Sequence, residues 1–352
     1  MATPAHWGLI GFGNIGREVA RQIGQPSVSK RLGLKTKPEF IITSKGIMKS
    51  DGRNSSVYKS LSDIPELPEV VFIAIPSSDN GKVGYDYITQ ILKRGKLAVT
   101  AEKGAVANYY AELKSASDDF KRLGITATVG GGTRLLQVAR EYAKDISNIT
   151  QIHLALNGTL SAIMDWVAPL QGKKIALSAA AKKAMEKGYA EPGSESAIAI
   201  IRAEAEGDIP KKLAIFYNNI GLSDKLLGWN KLRFSLDDEQ IKKALDSDVP
   251  RRFIVSLYPE SYVNSQRNFF EDDILGGFSV EHDGWRLVGG FRRIDANPLF
   301  SALASLTGPG NGMVIGLGPY ASDGIYAVTG PGAGVNPTVN TMLDDYIRLK
   351  SL

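Results

Sequence analysis

The hydrophobic pattern opens with a strand, a turn and a helix. Trp7–Ile10 is a short apolar run, and Gly11, Gly13 and Gly16 follow it directly. Ile15, Val19, Ala20 and Ile23 then recur at helical spacing along one side of the next segment. A basic stretch over residues 27–38 reads as an irregular insert, and Glu39–Thr43 as a second strand. The continuous apolar run Glu69–Ile75 is of the kind buried on both faces of a parallel sheet. A helix over 85–93, a strand over 95–100, a helix over 109–123 and a strand over 125–129 complete the series. Strand and helix alternate throughout, which predicts an N-terminal parallel sheet of Rossmann type.

After residue 150 the pattern changes. Helical runs are predicted over 160–167, 176–187, 196–206 and 209–220, with Gly207-Asp208 breaking the last two apart. Strands dominate from Phe253 to Phe291, with turns expected at Gly276-Gly277, Asp283-Gly284 and Gly289-Gly290. A glycine-rich stretch, Gly330–Gly334, leads to a final helix over 339–349, expected to pack back on the first domain. The fold class expected is α/β: the Rossmann-type domain (1–135), an α+β second domain (136–325) and the returning C-terminal segment (326–352).

Composition narrows the chemistry. The 352 residues include no cysteine and three histidines, His6, His153 and His282, far apart in sequence. That excludes disulfides, a thiolate metal site and an acyl-thioester mechanism, and suggests no histidine metal cluster, so no metal is assigned. The net charge of +5 is interleaved with acids and lacks an aromatic-basic motif, so no nucleic-acid partner is expected. No charged-then-apolar leader opens the chain and no run suits a membrane span, so a soluble cytoplasmic protein is expected.

The glycine pattern between strand and helix fits a dinucleotide: Gly11 for the tight turn, Gly13 for approach of a pyrophosphate, Gly16 for close packing. Phe12, Asn14 and Ile15 complete this cofactor loop, and Pro76, Ser77 and Ser78 follow a sheet strand at its ligand-binding end. No acid closes the second strand. Ser44 and Lys45 stand there instead, which favours NADP over NAD, although Lys45 equally suits a solvent-facing loop. With cysteine absent and histidine scarce, lysine is the best proton carrier for hydride chemistry. Lys103 follows a strand, and Asp208 and Lys212 share a helical face at a spacing of four. Position alone leaves Lys103 equally a loop lysine, Asp208 equally a helix cap and Glu191 equally a turn acid.

These residues resemble the homoserine dehydrogenase family over nearly the whole chain. The blocks are GFGNIG at 11–16 with its preceding strand, VTAEKGAVA at 99–107, VGGG at 129–132, NGTLSAI at 157–163, GYAEP at 188–192, DIPKKLAI at 208–215 and GPGAG at 330–334. The resemblance implies that Lys103, Asp208 and Lys212 lie at the reaction centre. It implies that Glu191 and Thr159, with Asn157 and Gly158, hold a small amino acid substrate, and that Gly332 and Gly334 join the cofactor set. The implied reaction interconverts L-aspartate 4-semialdehyde and L-homoserine, a step of threonine and methionine synthesis, in a homodimer joined through the second domain. The sequence departs from the family at Arg134 (usually proline), Thr126 (a sodium-site glutamate in some members) and Ala162 (usually aromatic). Glu191 and Asp208 stand farther apart than the family spacing, and a further family carboxylate finds only Glu204 or Glu206 nearby. These departures leave room for another small aldehyde or hydroxy-acid substrate, or for a cofactor-binding sensor without catalysis.

Overall fold

The computed structural model describes residues 3–49, 60–78, 80–169, 172–189, 196–233, 236–245, 250–265 and 274–352. The chain divides into two units, Met1–Gly132 with Val335–Leu352, and Thr133–Gly334.

The first unit is built on six strands: β1 (Trp7–Ile10), β2 (Phe40–Thr43), β3 (Gly46–Lys49), β4 (Val70–Ile73), β5 (Leu97–Thr100) and β6 (Leu123–Gly124). Their order is β3-β2-β1-β4-β5-β6. All neighbours are parallel except β3, which pairs antiparallel to β2 through the tight loop Ser44-Lys45. Every residue of β1 and β4 is buried, as expected of strands covered on both faces. Five helices follow in order: α1 (Asn14–Ile23), α2 (Pro26–Leu32), α3 (Lys82–Lys93), α4 (Lys103–Asn108) and α5 (Tyr110–Ala116). The last helix of the chain, Val335–Lys350, returns to this unit. Its Val339, Met342, Leu343, Tyr346 and Leu349 share one core with Trp7, Leu9, Val19 and Phe72.

Three expectations for this unit need correction. The insert at 27–38 is not irregular throughout, because Pro26 starts α2 at a position that needs no amide and Gly33 ends it with φ 68°. The helix expected to run to 123 stops at Ala116. There the Ser117 hydroxyl donates to Leu113 O (2.6 Å) and accepts the Phe120 amide (3.1 Å), competing with the helical ladder. The strand expected over 125–129 is reduced to Leu123–Gly124, and Thr126–Thr128 form a 3₁₀ turn. Asp345 from the last helix causes this, its carboxylate accepting both the Thr126 amide (2.8 Å) and hydroxyl (2.7 Å).

The second unit carries α6 (Leu135–Tyr142), β7 (Ile149–Ala155), α7 (Gly158–Val167), α8 (Leu177–Glu186), α9 (Ala197–Ala203), α10 (Ile209–Ile220) and α11 (Asp238–Leu245). It continues with β8 (Arg251–Pro259), α12 (Glu260–Ser265), β9 (Leu275–His282), β10 (Trp285–Arg293), α13 (Ser301–Ala304), β11 (Gly310–Leu317) and β12 (Gly324–Pro331). The returning helix, Val335–Lys350, is thus α14. The six strands form an antiparallel sheet in the order β12-β11-β7-β8-β10-β9. Since β12 belongs to this sheet, the second unit runs past 325 to Gly334.

Gly289 and Gly290 form no turn; they lie inside β10. A Cβ on Gly289 would sit 2.3 Å from the Phe278 ring, and one on Gly290 would sit 2.1 Å from the Gly276 carbonyl, so both positions exclude side chains. Nor do Gly207 and Asp208 break a helix. Glu204–Asp208 form a wide π turn that joins α9 to α10, the Ile209 amide reaching the Glu204 carbonyl. Pro210 lacks an amide hydrogen and its ring would clash with the carbonyl four residues back; the wider turn relieves that clash.

Candidate functional site

In the first unit the glycines shape the end of β1. Gly11 has φ 92°, and a Cβ there would meet the Ala74 carbonyl oxygen at 2.2 Å. A Cβ on Gly16 would lie 2.0 Å from the Gly11 carbonyl oxygen. Gly13, by contrast, has open space around it and begins α1 with no side chain capping the helix and no acid in its first turn. Phe12 and Ile15 are half-buried and Asn14 is exposed. Open amides at a helix N-terminus beside the carboxyl ends of β1 and β4 fit a pyrophosphate.

At the end of β2, Ser44 lines a cavity of about 410 Å³ together with Thr43, Ser60, Ser62, Asp86 and Gln90. Ser44 and Lys45 are both exposed, and the Lys45 amide donates to the Thr43 hydroxyl (3.1 Å). β4 runs into Pro76, Ser77 and Ser78, where the Ser77 hydroxyl accepts the Lys103 amide (3.0 Å). Lys103 opens α4. Beside it, buried Glu102 caps the helix by accepting the amides of Gly104 (2.7 Å) and Ala105 (2.6 Å). Burial pushes the Glu102 carboxyl above the ordinary value, with those amides pulling the other way.

In the second unit, β7 delivers Leu156-Asn157-Gly158-Thr159 to the start of α7. Asn157 caps that helix by accepting the Leu160 amide (2.8 Å). Its amide nitrogen donates to Glu204 (2.5 Å) and to Asp208 (2.8 Å). Asp208 also holds the Lys212 ammonium at 2.6 Å, one helical turn along. That ammonium donates in addition to the Leu156 carbonyl (3.0 Å). Both charged side chains are mostly buried, 12% exposed for Asp208 and 13% for Lys212, where little water competes for the pair. Such an arrangement can hold an ammonium in place with one proton left to give.

The structure therefore brings Asn157, Asp208 and Lys212 together, and adds Glu204. The π turn separates the two acids that sequence spacing left level. It brings Glu204 to Asn157, while Glu206 lies 3.9 Å from Arg202, on exposed side chains. Buried Thr159 donates to the Tyr189 carbonyl (2.7 Å), and a Cβ on Gly158 would lie 2.8 Å from the Pro309 carbonyl oxygen. Glu191 lies outside the described residues. Gly332 and Gly334 stand at the end of the second unit: a Cβ on Gly332 would meet the Asn311 amide carbon at 2.1 Å, and Gly334 has φ 117°.

Two departures from the family pattern acquire reasons. Arg134 opens α6 with φ 57°, which a proline ring held near −65° could not adopt. Thr126 is committed to Asp345, as described above. Ala162 is fully buried in α7. Among the described residues no three of His, Cys, Asp and Glu gather as a metal site, and no helix is long and apolar enough to cross a membrane.

Comparison with known proteins first gives the class. Residues 5–131 match a family described as an oxidoreductase family with an NAD-binding Rossmann fold, in agreement with the parallel sheet and its glycine turn. The full-length likenesses are narrower. A homoserine dehydrogenase of Lactococcus lactis is 26% identical over 360 residues, covering 97% of this chain and 73% of the relative. A crystal structure of homoserine dehydrogenase from Thermoplasma acidophilum superposes with a TM-score of 0.70 at 19% identity, covering 99% of each chain. A hyperthermophilic archaeal homoserine dehydrogenase in complex with NADPH gives 0.64 at 18% identity, covering 99% of this chain and 98% of that one. By sequence over nearly its whole length the chain is thus similar to a homoserine dehydrogenase, and it shares the fold of others.

Proposed function

We propose that this protein is an NAD(P)-dependent homoserine dehydrogenase that interconverts L-aspartate 4-semialdehyde and L-homoserine. The observation that carries the reading is the largely buried Lys212–Asp208–Asn157–Glu204 cluster, which matches a proton donor with its support and a second carboxylate. The nicotinamide, when bound to the first unit, supplies or accepts the hydride at the substrate carbon. Lys212 gives its third proton to the oxygen that becomes the alcohol, and takes it back in the reverse direction. Asp208 keeps that ammonium aimed. Lys103 stabilises the developing negative charge on the same oxygen. Glu204 and Glu191 receive the substrate ammonium, with Thr159 at its polar end. Gly11–Gly16 and Pro76–Ser78 hold the dinucleotide.

Ser44 and Lys45 favour NADP, their hydroxyl and cation suiting a 2′-phosphate. The enzyme works as a homodimer in the cytoplasm. The test is nicotinamide absorbance with L-homoserine and each cofactor in turn, at mildly alkaline pH. Reduction with either cofactor supports the reading; none, in protein that binds the cofactor, overturns it. A second reading, a different small hydroxy acid, draws on Ala162 standing where the family carries an aromatic side chain, and a panel of hydroxy acids and aldehydes distinguishes the two.

A further inference from the structure

Asn311 lies on β11, outside every motif described above, and is fully buried. Its amide nitrogen donates to the Leu156 carbonyl (3.1 Å), the same oxygen that takes the Lys212 ammonium at 3.0 Å. Both lone pairs of that carbonyl are thereby used, one by each donor. An ammonium has three protons. Lys212 spends one on Asp208 and one on Leu156, so the direction of the third follows from where those two acceptors stand. Asp208 is fixed by Asn157. The Leu156 carbonyl is fixed by Asn311. The other end of the Asn311 side chain is gripped as well: a Cβ on Gly332 would lie 2.1 Å from its Cγ and Oδ1, so only a glycine leaves that amide where it is. Its Oδ1 has no hydrogen-bond partner although it is buried, a cost that a purely structural asparagine would avoid.

We propose that Asn311 is a positioning residue, which through the Leu156 carbonyl sets the direction of the free proton on Lys212, and that Gly332 serves it by leaving room for the amide. The proposal rests on the assignment of Lys212 as the proton carrier. Asn311 touches no substrate; it acts through Leu156.

The test compares wild type with Asn311→Asp, which keeps the shape and loses the donor, and with Gly332→Ala, which displaces the amide from outside. Two readouts are taken on protein whose thermal unfolding matches wild type. Steady-state rates with L-homoserine are expected to show kcat reduced about tenfold or more in both variants, and in Asn311→Asp an unchanged KM for cofactor. Trace acetylation followed by peptide mass spectrometry is expected to show Lys212 labelled severalfold faster, relative to exposed Lys182, because its nitrogen is no longer held. Wild-type labelling of Lys212 in both variants overturns the proposal, whatever the substrate. Lack of L-homoserine oxidation by wild type overturns the functional reading instead, and the labelling rates then decide the role of Asn311 by themselves.

Discussion

Asp345 and Thr126, separated by 219 positions in sequence, make two hydrogen bonds to each other inside the first unit: the carboxylate accepts the threonine amide and its hydroxyl. Both residues are almost fully buried, at 3% and 2% exposure. Asp345→Ala leaves two buried donors without partners. The expected loss is about 3 kcal/mol of stability, read from urea unfolding, because buried donors without acceptors cost their full desolvation. A change below about 0.5 kcal/mol would show that the pair contributes little.

Lys212→Ala is expected to lower turnover by about 10²- to 10⁴-fold while leaving cofactor binding unchanged, since the lysine stands in the second unit and the dinucleotide fold in the first. Asp208→Asn, which keeps a hydrogen-bonding partner but removes the charge, should fall between. Initial rates and cofactor fluorescence titration check both. Near-normal turnover of Lys212→Ala removes it from the mechanism.

On the proposed reading, cofactor preference depends on the hairpin between β2 and β3. Ser44→Asp places an acid where a ribose 2′-hydroxyl would be recognised and a 2′-phosphate repelled. The ratio of the NADP rate to the NAD rate should fall by about tenfold or more, since like charges at a phosphate site cost several times the thermal energy. An unchanged ratio means that the 2′ position is read elsewhere.

His153 gives a pH signature to stability. It is fully buried, with Nδ1 2.8 Å from the Ser256 hydroxyl and Nε2 2.9 Å from the Gln151 side-chain oxygen. Arg292 donates to the same Ser256 hydroxyl. The Gln151 oxygen can only accept, so Nε2 carries a hydrogen. Burial, reinforced by Arg292, holds its pKa well below the ordinary histidine value. Above a pH of about 6.5 neither folded nor unfolded chain binds this proton, and the contribution is complete. As pH falls below that value the unfolded chain takes up the proton first, so stability falls by up to about 1.4 kcal/mol per unit until the folded pKa is reached. Urea midpoints measured on either side of that pH should show this slope in wild type and a flatter one in His153→Gln. Equal slopes would exclude His153 as the source.

What the chain made legible was local. Trp7–Gly16 carries its strand, turn and helix in its own spacing, and Asp208–Lys212 declares a shared face four residues apart. The errors arose where a distant partner decides. β6 is shortened by a carboxylate from α14, which nothing near Thr126 announces. Gly289 and Gly290 look like a turn because glycine marks turns, but here the Phe278 ring and the Gly276 carbonyl occupy the side-chain space. Glu204 could not be told from Glu206 without the π turn between α9 and α10. Asn311 gave no signal at all: one polar residue at the head of an apolar strand, with its meaning held by Leu156 and Gly332.

Because α14 completes the core around Trp7, Leu9 and Phe72, the first unit is interrupted by the second along the chain. On a ribosome, the early strands and helices must wait with that apolar surface uncovered through the synthesis of some two hundred residues, from Thr133 to Gly334. The second unit is continuous and can fold as it emerges. Dinucleotide binding should therefore be acquired only once α14 has emerged, and the exposed half-built sheet is the state in which chaperone dependence and aggregation would be decided.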